Sequence, residues 1–159
     1  MFFFTRLQRK EYRVTSQRHL QELYRISQIT KDIETNYQQQ VEKVKHAYLM
    51  GKHFLDAKEY QLSIDNFAKI EDPQSFVVFM QMLNHDIQTF SMYYFYYACA
   101  CSLLCNELPE GKRNYYLEKG LELLRLFKLY HAEETKIQGE LKLKNIVEYQ
   151  KYKTGVEHK

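Results

Sequence analysis

The sequence predicts an all-α fold, and three observations support this prediction. The 159 residues include only 5 glycines and 2 prolines, which are the residues that most often interrupt helices. Apolar residues recur at spacings of three, four and seven over most of the chain, as they do on one face of a helix. The length suits a single domain with a buried core. We therefore expect one all-α domain, residues 1–159, with about seven helices arranged as antiparallel helical hairpins and flanking terminal helices.

The first predicted helix is amphipathic and basic and runs from about Thr5 to Gln28. Residues 1–18 hold five basic residues and one acidic residue, so the positive charge of the chain, +3 in total, is concentrated there. We predict a basic amphipathic helix within residues 1–30. Such a segment can meet an acidic partner or a membrane surface, although a solvated charged face also explains it.

A second helix is predicted to begin at Thr30 and Asp32, because Thr is a good N-cap residue and Asp favours the first turn. It is expected to reach Ala57, and a short third helix follows over residues 59–71. Asp72-Pro73 then predicts the start of a fourth helix, since Asp suits the N-cap and Pro the first helical position.

The fourth segment, residues 74–84, is strongly apolar and has an alternative interpretation. Because a short apolar run does not distinguish a helix from a buried strand by its period, both states stay open for it. The next segment, residues 87–104, is apolar on almost every side. A helix without a polar face belongs in the middle of a fold.

Three cysteines lie in or just after this apolar segment. Cys101 and Cys105 share a helix face, whereas Cys99 points about 160° away at ~100° per residue. Chelation of a metal by three thiolates of one helix is therefore unfavourable, and we expect buried, reduced thiols with no metal site and no cofactor. A helix over residues 112–130 and a charged C-terminal helix within residues 131–153 complete the prediction, with a frayed end from Thr154 to Lys159.

The most specific pattern of the chain lies between Ala47 and Pro73. Gly51 allows a neighbouring helix to approach closely, and Phe54 and Tyr60 are spaced to fill the turn between two helices. Ser63, Ile64 and Phe67 then close the second helix onto the first. The pattern thus predicts one helical hairpin. The residues that form it, in order, are Gly51, Phe54, Tyr60, Ser63, Ile64, Phe67 and Ala68.

At these residues the chain resembles a tetratricopeptide repeat, a family of stacked helical hairpins. Met50, Lys58 and Ile70 depart from its pattern, and Lys58 stands where a turn glycine is usual. Residues 97–121 resemble a second such unit, with Gly120 where a small residue is expected. The resemblance implies tetratricopeptide-like hairpins within residues 31–130.

The resemblance also implies a concave face that binds a peptide or helix of a partner protein. A cationic and aromatic groove suits a peptide with an apolar anchor and an acidic flank. Carried across by position, the partner-binding residues are Lys45, Tyr48, Lys52, Leu55, Asp56, Met92, Phe95, Cys99, Ser102 and Leu103. The Asn residues with which some members hold a terminal carboxylate are replaced by Leu49, Lys52, Tyr96 and Cys99.

These expectations describe a non-catalytic adaptor, assembly factor or chaperone, located in the cytoplasm because the sequence has no long apolar run or leader pattern. The partner is another protein. Self-association through the N-terminal helix is a further expectation, a membrane surface is a less favoured partner, and no nucleic acid is expected, since no recognition motif accompanies the many tyrosines.

Two alternative functions stay open. In the first, the chain is a permanently assembled structural subunit of a larger complex, with or without association with a membrane. In the second, it resembles the HEPN domains, small all-α ribonucleases, because Arg13 and His19, and likewise Arg125 and His131, stand six residues apart. That resemblance implies that Arg stabilises phosphate charge and that His moves protons.

Overall fold

The computed structural model describes residues 5–84, 86–130 and 141–157, with side chains as far as residue 155. Over these ranges the chain is all-α, as predicted, with six α-helices, three short 3-10 turns and no strand. The fourth predicted segment is therefore a helix. The helices are α1 (Arg6–Asp56), α2 (Tyr60–Ala68), α3 (Pro73–Met82), α4 (Ile87–Leu104), α5 (Asn114–Tyr130) and α6 (Lys144–Glu157), and the 3-10 turns are Cys105–Glu107, Glu110–Lys112 and Leu141–Leu143.

Helix α1 is uninterrupted, so the predicted break between Gln28 and Thr30 is wrong. The side-chain hydroxyl of Thr30 donates a hydrogen bond to the carbonyl oxygen of Ile26, at 2.9 Å, within the same helix. A threonine whose hydroxyl is satisfied in this way can stay inside a helix instead of capping a new one. The first two predicted helices are thus one helix, and the predicted count of seven is not obtained in the described residues.

The chain divides into two compact units, residues 1–40 and residues 41–159. In the first unit the described residues belong to α1, apart from Thr5 at its start. Every large apolar side chain from Leu7 to Tyr37 is exposed there, by 41–68 % of its surface. The apolar side of this segment is therefore uncovered in the single chain.

The second unit contains the hydrophobic core, and α4 lies at its centre. Eleven of the 18 residues of α4 are buried, and the helix packs against α2, α5 and α6. Tyr93 is 1 % exposed, and its hydroxyl donates to the carbonyl oxygen of Phe67 at 2.7 Å. The apolar character of α4 therefore reflects a central position, as the sequence predicted.

Helices α1 and α2 meet at the residues that the sequence pattern selects. The hydroxyl of Ser63 donates to the carbonyl oxygen of Gly51 at 2.7 Å. A Cβ atom on Gly51 would lie 2.5 Å from the ring of Phe67, so the absence of a side chain is what lets the two helices come this close. Gly120 of α5 has a similar role, because a Cβ there would overlap the Cδ1 atom of Ile146.

At the end of α1, Lys58 stands where the repeat pattern would have a turn glycine. Lys58 has φ of 62°, in the left-handed region. The N–H of Lys58 donates to the carbonyl oxygen of Leu55, and that of Glu59 to the carbonyl oxygen of Phe54, at 3.1 and 2.8 Å. These two bonds form a Schellman motif, in which glycine is the usual left-handed residue. Lys58 therefore takes a glycine conformation without being glycine.

Other helix ends agree with the sequence in part. The carboxylate of Asp72 accepts the N–H of Ser75, and Pro73 opens α3, as predicted. The sequence predicted a frayed end from Thr154 onward. Helix α6 instead continues to Glu157, so residues 154–157 are helical. The start of the predicted C-terminal helix, residues 131–140, lies outside the described residues.

Candidate partner-binding groove

A groove lies between α1 and the first turns of α4, within the second unit. Its volume is about 370 Å³. Below it is called the α1–α4 groove. Its lining residues are Tyr48 and Lys52 of α1, and Gln88, Thr89, Met92 and Tyr96 of α4.

Tyr48 is the fixed part of the groove wall. It stands four residues before Lys52, so the two side chains share a face of α1. The ring of Tyr48 contacts the buried rings of Phe67 and Phe79, with centroid distances of 6.4 and 5.3 Å. Burial raises the pKa of Tyr48 to about 12, with a smaller contribution from Tyr96. The phenol therefore stays neutral at physiological pH and keeps its hydroxyl proton.

Lys52 carries the positive charge of the groove. Its Nζ atom lies 5.6 Å from the ring centroid of Tyr48 and 5.1 Å from that of Tyr96. Both distances fall within the range of cation–π attraction. Because the two rings belong to different helices, the ammonium group is held across the groove. An acidic group that enters the groove would meet this charge beside two aromatic rings.

Asp86 orders the polar end of the groove. As the N-cap of α4, its carboxylate accepts the N–H groups of Gln88 and Thr89, at 3.1 and 3.5 Å. It also accepts the hydroxyl of Thr89 at 2.9 Å. These bonds direct the negative charge of Asp86 toward the helix N-terminus, which stabilises it.

The structure brings together three of the predicted partner-binding residues, Tyr48, Lys52 and Met92. Phe95 is half-buried, and its ring contacts those of Tyr96 and Phe127 at centroid distances of 5.9 and 5.4 Å. The remaining positions lie outside the residues that line the groove. Lys45 and Asp56 are exposed on α1, Leu103 is half-buried, and Leu55, Cys99 and Ser102 are buried.

Helix α6 accounts for the burial of the predicted positions near the end of α4. The side-chain amide of Asn145 donates to the carbonyl oxygen of Ser102 at 2.6 Å. Leu143 and Ile146 beside it are fully buried. Ser102 is 1 % exposed, so it offers no surface to a partner in this structure. The groove therefore extends only along the first turns of α4.

Tyr96, Gln88 and Thr89 line the groove but were not among the predicted binding residues. For Tyr96 a signal existed, because it stands four residues after Met92 and thus on the same helix face. Gln88 and Thr89 could not be selected from the sequence, since their position depends on how Asp86 begins α4.

Two other clefts differ from the groove in chemistry. One, of about 590 Å³, combines charged side chains of α1 with Lys69 and Ser75. The second, of about 290 Å³, is apolar and is lined by side chains of α3, by the turn that follows it, by α4 and by Tyr130. The residues of the first are Glu42, Lys43, Val44, His46, Ala47, Lys69 and Ser75, and those of the second are Phe76, Met80, Leu83, Ile87, Phe90 and Tyr130.

Comparison with known proteins gives no relative. No protein-family model, curated protein sequence or solved structure matches the chain.

The described side chains also bear on the chemical alternatives. Among them, no three His, Cys, Asp or Glu residues come together as a metal site would require. Burial raises the pKa of Cys101, so its thiol is protonated and unreactive at neutral pH. Arg13 and His19 are exposed on α1, whereas His131 lies outside the described residues, and the ribonuclease interpretation stays a prediction. None of the helices in the described ranges has the length and hydropathy needed to cross a bilayer.

Proposed function

We propose that the chain is a non-catalytic protein-interaction module, acting as an adaptor, assembly factor or chaperone, and that it binds a peptide or helix of a partner protein in the α1–α4 groove. The observation that carries this proposal is the Lys52 ammonium group held over the rings of Tyr48 and Tyr96. A localised positive charge between aromatic faces suits an acidic side chain next to an apolar one.

We further propose that the hairpins are tetratricopeptide-like, as the sequence resemblance implies. Two features support this. Gly51 and Phe67 approach each other closely, and Lys58, at the position of a turn glycine, has a left-handed backbone conformation. In that family the first helix of each hairpin lines the binding face. The groove residues lie on α1 and α4, which would be those first helices.

The partner segment would contribute one acidic residue and one apolar anchor. The acidic residue pairs with Lys52, and the anchor packs against Met92 and the two tyrosine rings. Because part of the attraction is between charges that solvent and salt ions can still reach, raising the salt concentration should weaken binding. An uncharged apolar peptide should bind more weakly and with little dependence on salt.

The test is selection of peptides from a random displayed library on the immobilised full chain, followed by fluorescence anisotropy with the selected sequences. We expect enriched peptides to pair Asp or Glu with an aromatic or aliphatic residue. Lys52→Glu should weaken their binding at least about tenfold. Lys112→Glu, the same charge change at an exposed position of the 3-10 turn Glu110–Lys112, should leave binding within about twofold.

Three results would overturn the proposal. These are selected peptides without acidic residues, equal loss of affinity in both variants, and undiminished binding to Lys52→Glu. Thermal unfolding of each variant is measured alongside. Lys52 is only half-buried, so we expect its substitution to leave the fold intact. An unchanged melting temperature would show that a loss of affinity is not a loss of fold.

A second candidate, the permanently assembled structural subunit, is favoured by the exposed apolar residues of the first unit. A surface of this kind is typical of a segment that is covered in an assembly. This candidate predicts a chain that associates tightly on its own or with a fixed partner and selects no peptide in the groove.

A further inference from the structure

The first unit, residues 1–40, carries an apolar stripe that the chain itself leaves exposed. Its members follow one another at spacings of three and four residues, so each is a neighbour of the next on the helix surface. The five from Leu23 to Tyr37 lie within about 120° of one another around the helix, and Leu20 lies at the edge of the stripe. Over 18 residues the stripe is about 27 Å long. It is called the Leu20–Tyr37 stripe below. Its members and their exposed fractions are Leu20 65 %, Leu23 63 %, Ile26 50 %, Ile29 47 %, Ile33 62 % and Tyr37 41 %.

The polar groups beside the stripe are already satisfied within the helix. The hydroxyl of Thr30, which lies between Ile26 and Ile33 on this face, donates to the carbonyl oxygen of Ile26 at 2.9 Å. Glu22 and Arg25 form an ion pair with each other. Covering the stripe would therefore leave the Thr30 hydroxyl hydrogen-bonded, which removes a common cost of burying a polar residue.

The charges of this segment argue against a strongly charged occupant. Residues 20–37 contain two basic and three acidic residues, a net charge of −1. An interfacial membrane helix is rich in basic residues on its polar face, and an acidic protein would also require basic residues on this segment. The basic residues of the first unit lie mainly at 5–18, before the stripe begins.

We propose that the occupant of the Leu20–Tyr37 stripe is the same stripe of a second copy of this chain, in an antiparallel pair of helices. Six apolar side chains from each copy would bury on the order of 1,000 Å² in total, about the area that a specific interface requires. A nearly neutral, self-complementary surface suits a two-fold symmetric contact.

Charge also selects the orientation of the pair. Residues 5–18 carry a net charge of +4, and a parallel pair would place these two segments side by side. An antiparallel pair separates them. A register centred on residue 28 sets Leu23 of one copy at the level of Ile33 of the other, and Ile26 at the level of Thr30. By symmetry, each of these contacts occurs twice.

The experiment is sedimentation equilibrium of the full chain over a range of concentrations. The wild-type chain is expected to shift from monomer to dimer as the concentration rises. Ile26→Glu/Ile33→Glu, which places charges in the stripe, should weaken the dimer at least about tenfold. Gln21→Glu/Thr35→Glu, which places the same charges on the opposite face of the helix, should dimerise as the wild type does.

Orientation is tested by cysteine cross-linking under mild oxidation. A mixture of Leu23→Cys and Ile33→Cys chains should form a mixed disulfide dimer in good yield, and Leu23→Cys alone should not. Self-linking of Leu23→Cys would overturn the antiparallel arrangement. A wild-type chain that stays monomeric at all concentrations, or that floats with anionic vesicles while the Ile26→Glu/Ile33→Glu variant does not, would overturn the second copy as occupant. Because the peptide assay probes Lys52, a failure here leaves the proposed function untouched.

Discussion

Gly51 is a residue at which packing leaves no room for a side chain. Its missing side chain lets the ring of Phe67 occupy the space where a Cβ would stand, with three ring atoms 2.5–2.8 Å from that point. Phe67 is fully buried, and the rings of Tyr48, Tyr93 and Tyr97 surround it. The ring therefore has no space into which it can move.

Gly51→Ala should destabilise the protein despite the better helix propensity of alanine. Overpacking of a core costs about 1–3 kcal/mol, whereas replacing a helical glycine with alanine returns about 1 kcal/mol. Because the Phe67 ring is held on several sides, we expect a net loss of about 1 kcal/mol or more. Urea unfolding at neutral pH measures this loss.

Gly155→Ala is the matched control for this prediction. A Cβ at Gly155 would have no heavy atom within 4 Å among those described. Alanine there should be neutral or stabilising by up to about 1 kcal/mol. Equal effects of the two substitutions would contradict the packing argument at Gly51.

At the scale of the helix, the end of α1 is formed by a residue that does not suit its conformation. Lys58 closes the Schellman motif with φ of 62°, where a Cβ is strained and glycine is not. The hydrogen bonds of the motif involve only the backbone. They therefore survive a change of the side chain.

Lys58→Gly should stabilise the fold. Removing the left-handed strain gains about 1–2 kcal/mol, and the greater freedom of glycine in the unfolded chain costs about 0.5–1 kcal/mol. We expect a net gain of about 0.5–1 kcal/mol, measured as a higher urea midpoint with an unchanged slope. Lys58→Ala removes the same charge but keeps the Cβ, so a comparable gain in that variant would show that strain is not the cause.

For the whole molecule, the tyrosines of the core couple folding to high pH. Burial raises the pKa of Tyr48 and of Tyr94 to about 12, and it raises the pKa values of Tyr93 and Tyr97 as well. In the unfolded chain these phenols have their ordinary pKa of about 10. Above that pH the unfolded state loses protons that the folded state keeps, so the free energy of unfolding falls as pH rises.

We therefore expect stability to be nearly constant below pH 9 with respect to these groups and to decrease steadily from about pH 10 upward. Urea unfolding at a series of pH values measures the decrease, and absorbance at 295 nm follows tyrosine ionisation in parallel. Tyr48→Phe removes one of the coupled groups and should make the decrease less steep. Titration of all tyrosines near pH 10, with no accompanying loss of stability, would contradict this prediction.

The sequence by itself determined the helical character, the central place of α4 and the start of α3 at Asp72-Pro73. These features follow from local chemistry: few helix-breaking residues, an apolar segment without a polar side, and a capping residue followed by proline. It also indicated that Gly51 allows a neighbouring helix to approach closely and that Phe67 closes the second helix onto the first, because both residues belong to one short stretch of chain. For the groove, it selected Tyr48, Lys52 and Met92.

Only the tertiary structure decided that α1 is one helix and where the groove ends. Thr30 has the chemistry of both an N-cap and a helix-interior residue, and a hydrogen bond to Ile26 selects the second. Cys99 and Ser102 have the right spacing on α4 for a binding face, yet they are buried, and Asn145 of α6 contacts Ser102. A helix period tells which side chains share a face, but another helix, distant in sequence, determines which of them solvent or a partner can reach.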